Sequence, residues 1–226
     1  ILTQSNSPYT VFTPYKNNHL KKIFNEGITQ FDCEPYNINL AKFKTRPLQS
    51  LKEIGFEVSN ISSMNLPLGT QGGIALIEDF KIRIKNYSYN RNFPGVKGVS
   101  YLSVHNRFGT VSIRHLAKMA LEHNSEGSST WLNELIWRDF YFQILSNFPH
   151  IEDGKTFKLK YNNLKFENDE KKFSAWRNGK TGFPIIDAGM RQLNLTGFMH
   201  NRLRMIIASF LVKDLLIDWR WGEKYF

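Results

Sequence analysis

The chain has 226 residues, 41% of them hydrophobic, enough for one large domain or two small ones with a packed core, which excludes a disordered chain. Its longest apolar run, Met205 to Val212, is far shorter than the roughly 20 residues that span a bilayer. Lysine and arginine number 30 against 20 aspartates and glutamates, and the net charge of +10 points to a polyanionic partner, most often nucleic acid.

Residues 1–70 read as an irregular interdomain segment. Proline recurs at Pro8, Pro14, Pro35, Pro47 and Pro67, and only short helical pieces fit, Asn18 to Phe24 and Pro47 to Ile54. An ordered helical domain is expected over 71–226. It opens near Gly72, where Ile74, Ile77, Phe80 and Ile84 follow helical spacing and Thr70 can cap. Tyr87 to Ser103 reads as a polar loop. Ser112 can cap a helix through His123, and a loop, Asn124 to Ser128, follows. Ser129 or Thr130 then starts a long helix, Trp131 to Phe148, apolar almost all round and stopped by Pro149. Residues 150–175 read as a charged surface excursion. Pro184 opens a further helix closed by Gly197. Another carries Leu203, Ile206, Phe210 and Leu211, and a last piece runs from Leu215 to Tyr225. No strand pattern stands out after residue 70, so the expected class is mostly α-helical.

One cysteine, Cys33, excludes an internal disulfide framework and a cysteine-based zinc site; it reads as a plain thiol in a reducing, cytoplasmic setting. The six histidines lack metal-ligand spacing, so no metal is expected. The chain opens on Ile1 without a secretory signal pattern, as expected of a piece of a longer protein. Aromatic residues beside the cations suit stacking on bases or on a flavin or adenine ring.

Two polar constellations stand out. Glu134, Trp137, Arg138 and Tyr141 share one face of the long apolar helix. A structural Glu–Arg pair at i, i+4 is the plain alternative. Asn201, Arg204 and Met205 share a face of a later helix, while Arg202 projects elsewhere. If both helices border one cavity, it suits a planar, polar-edged ligand. Ser100 and Ser103 could cap a short helix or, with Tyr87, bind phosphate. Dinucleotide, P-loop and metalloprotease motifs are absent.

Trp131-Leu132-Asn133-Glu134-Leu135-Ile136-Trp137-Arg138-Asp139-Phe140-Tyr141, Gly179-Lys180-Thr181-Gly182-Phe183-Pro184, Met199-His200-Asn201-Arg202-Leu203-Arg204-Met205 and Asp214-Leu215-Leu216-Ile217-Asp218-Trp219-Arg220 resemble, in this order, the FAD-binding domain of DNA photolyases. Pro8 to Tyr15 resembles the stretch leaving that family's antenna domain. Asn201 fits the class I, cyclobutane pyrimidine dimer branch.

The resemblance implies a light-driven repair enzyme, a carbon–carbon lyase. Reduced FAD, excited by blue light, passes an electron to a pyrimidine dimer in DNA; the cyclobutane ring opens and the electron returns. The lesion must leave the base stack, and photolyases are among the known base-flipping enzymes. Tyr87 and the loop Val99, Ser100, Tyr101, Leu102 and Ser103 would hold the FAD phosphates. Trp131, Arg138 and Arg204 would border the flavin. Glu134 would hydrogen-bond the dimer, and Trp137 would stack on it beside Met205 and Tyr141. Asn201 and Arg202 would meet DNA, and Arg91 a phosphate.

Several positions depart from the family's pattern. Val99 stands where Thr is usual, Tyr101 where Arg is usual, and Phe198 where Trp is usual. Trp219 matches the middle member of the family's electron-transferring tryptophan chain. Phe166 takes the outer position, which leaves Tyr161 or Trp176 as other routes. The family's antenna domain and the segment that completes the FAD cavity are expected to lie outside this stretch, the former with an antenna chromophore. A monomer is expected. The alternatives are a cryptochrome-like FAD photosensor and an inactive fragment with only non-specific DNA binding.

Overall fold

The computed structural model describes residues 1–31, 38–41, 44, 46–57 and 66–226; Cys33 and Pro35 lie outside them. The described residues form helices and no named strand, with one isolated bridge between Leu2 and Pro8. The mostly α-helical class expected from the sequence is the one observed. No helix among the described residues is long and apolar enough to cross a membrane.

Helix α1, Phe12–Glu26, is twice the length of the expected piece. Pro14 does not prevent it, because the first-turn N–H groups of a helix have no intrahelical partner. Tyr15 is 1% exposed, and its hydroxyl donates to Asp139. Phe12 stacks on Trp137, with ring centroids 3.5 Å apart. Residues 51–55 form turns rather than the expected helix, and Leu48 and Leu51 are exposed, so nothing there buries an apolar face.

Helix α2, Gly69–Arg83, continues through a 3-10 turn, Ile84–Asn86, into α3, Tyr87–Asn90. The expected polar loop therefore starts only after α3. Helix α4 is Ser103–Phe108. Helix α5, Ile113–His123, is capped by the Ser112 side chain as expected and ends at Asn124 in the left-handed conformation.

The central helix α6, Glu126–Asn147, starts earlier than Ser129. Ser125 and Ser128 form a reciprocal capping box: the Ser125 hydroxyl accepts from the Ser128 N–H at 3.1 Å, and the Ser128 hydroxyl accepts from the Ser125 N–H at 2.9 Å. The helix stops before Pro149 as expected. Its buried residues join Phe80, Ile84, Tyr87, Leu102 and Leu116 in the larger core.

Helix α7, Glu170–Arg177, lies in the stretch read as an excursion, capped by Asp169 and anchored by the fully buried Trp176. Helix α8, Pro184–Thr196, has proline in its first turn and Gly197 at its C-cap, with φ +66. Helix α9 is Asn201–Lys213. Helix α10, Trp219–Tyr225, begins later than Leu215 because Asp218 caps it. These helices share a second core of Trp176, Ile186, Met190, Ile207, Leu211 and Ile217.

Asp187 ties the entry of α8 together. It is 7% exposed. Its carboxylate accepts from Thr181 N at 2.7 Å, Thr181 Oγ1 at 2.6 Å and Gly182 N at 2.9 Å. Burial pushes its pKa up, but those hydrogen bonds and nearby Arg191 outweigh burial and hold it below the ordinary value. A depressed carboxyl stabilises the fold above its unfolded pKa, and that stability is lost as pH falls through the folded pKa. Asp187→Ala is expected to cost about 2–4 kcal/mol in urea denaturation at neutral pH. The gap between variant and parent should narrow in acid; a gap that stays constant would exclude a role for the ionised carboxylate.

Candidate functional site

Where α3, α4 and α6 of the larger core face the start of α9, they enclose a cavity of about 450 Å³. That size lies within the range of small-molecule and cofactor sites. Of the residues singled out from the sequence, Tyr87, Arg91, Val99, Ser100, Ser103, Trp131, Glu134, Arg138, Asn201 and Arg202 line it. The long helix and the Asn201 helix border one cavity, but the residues that face it differ from the expected face: Arg202, expected to project elsewhere, lines it, while Arg204, Met205 and Trp137 do not.

Glu134 projects from the middle of α6 and accepts from Arg91 Nη1 at 2.6 Å. The Arg91 guanidinium lies 5.5 Å from the Tyr87 ring centroid. Arg91 was expected at a DNA phosphate; here it is turned inward onto Glu134, a stronger charge-assisted partner than water. Burial, then the Glu134 charge, push the Tyr87 phenol up to about 12, so it remains a hydrogen-bond donor at neutral pH. Arg138 donates to the Asn106 carbonyl at 3.2 Å and lies over the Phe142 ring at 4.6 Å. Trp131, 3% exposed, forms an apolar wall against Phe80. At the rim, Arg202 directs Nε and Nη2 at Asn92 Oδ1, at 3.1 and 2.7 Å.

The other candidates lie outside this cavity. Leu102 is fully buried in the core, and Tyr101 packs on Phe198 with φ +57, a left-handed conformation that few residues adopt. Trp137 packs among Phe12, Phe140 and Tyr141. Arg204 donates to the Met199 carbonyl and sits over Phe226, and burial lowers its pKa. Met205 is 55% exposed, within 3.8 Å of the Asn201 amide. Trp219 lies under the Arg220 guanidinium.

Sequence reasoning missed His200, Asn106 and Arg107, which also line the cavity. His200 caps α9: Nδ1 accepts from Arg202 N at 3.1 Å. Its Nε2 is buried without a partner among the described residues. Burial, then Arg202 and Arg91, hold its pKa below the ordinary value and keep the ring neutral. Nδ1 being an acceptor, the neutral ring carries its proton on Nε2. Its signals in the sequence were its place in the Met199 to Met205 motif and its position one residue before a helix. Asn106 Oδ1 is likewise buried and unpartnered.

Serine hydroxyls, arginines, an indole wall and two unpartnered buried polar atoms fit a ligand with an anionic part and a flat ring system, as FAD has. The fold and cavity define a helical domain whose lining residues fit such a ligand. Residues 131–226 match the FAD binding domain of DNA photolyase. The deoxyribodipyrimidine photo-lyase of Escherichia coli (strain K12) is 38% identical over 232 residues, covering 100% of this chain and 48% of that protein. A bacterial class III photolyase from Agrobacterium tumefaciens superimposes with a TM-score of 0.82 at 34% identity, over 100% of this chain and 48% of that one. A Synechocystis sp. PCC6803 cryptochrome gives a TM-score of 0.70 at 32% identity, over 81% of this chain and 40% of that one. Over its whole length the chain is similar to DNA photolyases. It spans about half the length of the curated relatives it matches.

Proposed function

We propose that this chain is the central part of a deoxyribodipyrimidine photolyase, a lyase that splits cyclobutane pyrimidine dimers in DNA. The observation that carries the reading is that Glu134, Asn201 and Arg202, the residues suited to a base edge and a backbone, line the same cavity as Ser100, Ser103, Arg138 and Trp131. FAD, when bound and reduced, supplies the light-excited electron. Tyr87, Ser100 and Ser103 hold its anionic part, and Trp131, Leu135 and Arg138 border its rings and exclude water. Glu134, oriented by Arg91, accepts hydrogen bonds from a flipped base, and Asn201 meets the same edge. Arg202, pre-oriented by Asn92, contacts the DNA backbone. Trp137, which shares the Glu134 face of α6, is the stacking partner of the flipped dimer in this reading. Trp219 is an electron-transfer relay. An antenna chromophore belongs to the antenna domain preceding this stretch in the family.

The cryptochrome-like reading has one observation in its favour, the structural likeness to the Synechocystis cryptochrome. A photosensor would bind FAD without acting on dimers. The test is an absorption spectrum of the chain after incubation with FAD, then thymine-dimer loss under blue light in the full-length protein. A structured flavin band with dimer loss is expected. Flavin binding without dimer loss would favour the photosensor, and a colourless full-length protein would exclude both.

A further inference from the structure

Arg83, the last residue of α2, lies outside the cavity, yet three of its hydrogen bonds determine how the loop that lines it is held. Its Nη1 donates to the Lys97 carbonyl at 2.5 Å and to the Val99 carbonyl at 3.2 Å. Its Nη2 donates to Asp79 Oδ2 at 2.6 Å, one turn back on α2. Asp79 Oδ1 accepts from Lys97 Nζ at 2.8 Å, closing the ring of contacts on the loop itself. Lys97 first and Arg83 second hold the Asp79 carboxyl below its ordinary pKa, so the aspartate remains charged.

The carbonyls of residues 97 and 99 are thereby turned to one side. A trans peptide sets its N–H opposite its C=O, and no peptide bond in the described chain is cis. With the Val99 carbonyl turned to Arg83, the Ser100 N–H points away from Arg83. Val99 and Ser100 both line the cavity. On the other side the loop is pressed against α3, where a Cβ on Gly98 would overlap the Asn90 main chain. The clamp also precedes Tyr101, whose left-handed backbone must be held by its surroundings.

We propose that Arg83, braced by Asp79 and Lys97, is the positioning residue that presents the Ser100 amide and hydroxyl to the phosphate groups of the ligand. The inference rests on the reading of this cavity as the FAD site. Arg83 itself touches no ligand. It acts by holding a phosphate-facing loop in its binding conformation before the ligand arrives, which lowers the ordering cost of binding.

Arg83→Met keeps the aliphatic stem and removes the fork; Arg83→Lys keeps the charge at Asp79 with a single ammonium. Two readouts apply to each. Amide exchange at residues 99–103 should rise about tenfold in Arg83→Met, with α5 and α6 unchanged. Affinity should fall about tenfold for ADP, which carries the phosphates, and remain unchanged for riboflavin, which lacks them. Arg83→Lys should recover part of both. Equal losses for ADP and riboflavin, or exchange rising throughout the chain, would reduce Arg83 to a general stabilising residue and overturn the proposal. Unchanged exchange at 99–103 would overturn the clamp directly. If the unaltered full-length protein binds riboflavin but not ADP, the phosphate role of the loop fails and the positioning role falls with it; uptake of neither by the full-length protein would instead overturn the FAD reading, on which the proposal rests.

Discussion

Trp131→Ala is expected to lower the stability of the folded chain by about 3–5 kcal/mol, the range for deleting a buried aromatic. The indole is 3% exposed, its ring centroid is 5.0 Å from that of Phe80, and it belongs to the core around Tyr87 and Leu135. Its removal leaves a void that the surrounding helices cannot close, because α6 is fixed on several sides by α1, α3 and α5. The same ring is a wall of the cavity, so FAD uptake should fall together with stability. Trp131→Phe should recover most of the stability, since it retains a ring against Phe80. Urea denaturation followed by circular dichroism measures the first effect, and flavin absorbance measures the second. A loss below about 1 kcal/mol would mean that the core repacks without the indole.

Gly127→Ala should be comparably damaging, against the ordinary trend. Alanine in place of glycine inside a helix normally gains about 1 kcal/mol. At Gly127, in the first turn of α6, a Cβ would collide with the main-chain carbonyl oxygens of Ile84 and Lys85. No rotamer relieves a clash with backbone, so α6 must move off the 3-10 turn Ile84–Asn86 that leads into Tyr87. A loss of about 3 kcal/mol or more is expected. Gly95→Ala is the control, because its Cβ would meet nothing and its φ is not positive. Thermal unfolding of the two variants separates them; a Gly127→Ala chain as stable as Gly95→Ala would refute the close approach.

Both effects depend on contacts between segments far apart in sequence, and the same distinction separates what could be read in the chain from what could not. Helix periodicity and the stop at Pro149 located most of α6, and Ser112, Pro184 and Gly197 marked their helix ends through local chemistry that needs no partner. The shared face of Glu134 and Arg138, and the separate face of Asn201, also follow from 3.6-residue periodicity alone. The mismatches arose where distant contacts decide. Pro14 looked like a breaker, but α1 is held by Tyr15 and Phe12 packing on α6. Residues 170–177 carried too few apolar side chains to read as a helix, yet the buried Trp176, with Phe173 packed beside it, anchors α7 in the second core. Ser125 was legible as a possible cap only once its reciprocal bonds with Ser128 were seen.

The cavity shows the same division. Sequence could nominate Glu134, Arg138, Ser100 and Asn201 because their residue types suit the chemistry. It could not assign Arg91 to Glu134, since 43 positions separate them. Nor could it find His200 or Arg83, whose importance lies in what surrounds them: a buried ring nitrogen without a partner, and a guanidinium spanning the carbonyls of a loop 14 and 16 residues away. Local propensity, capping and periodicity are properties of neighbouring residues, so the sequence by itself determined most of the helices and their ends and the candidate chemistry. Burial and pairing are properties of the packed chain, so only the tertiary structure decided which of those side chains share one cavity and what holds them there.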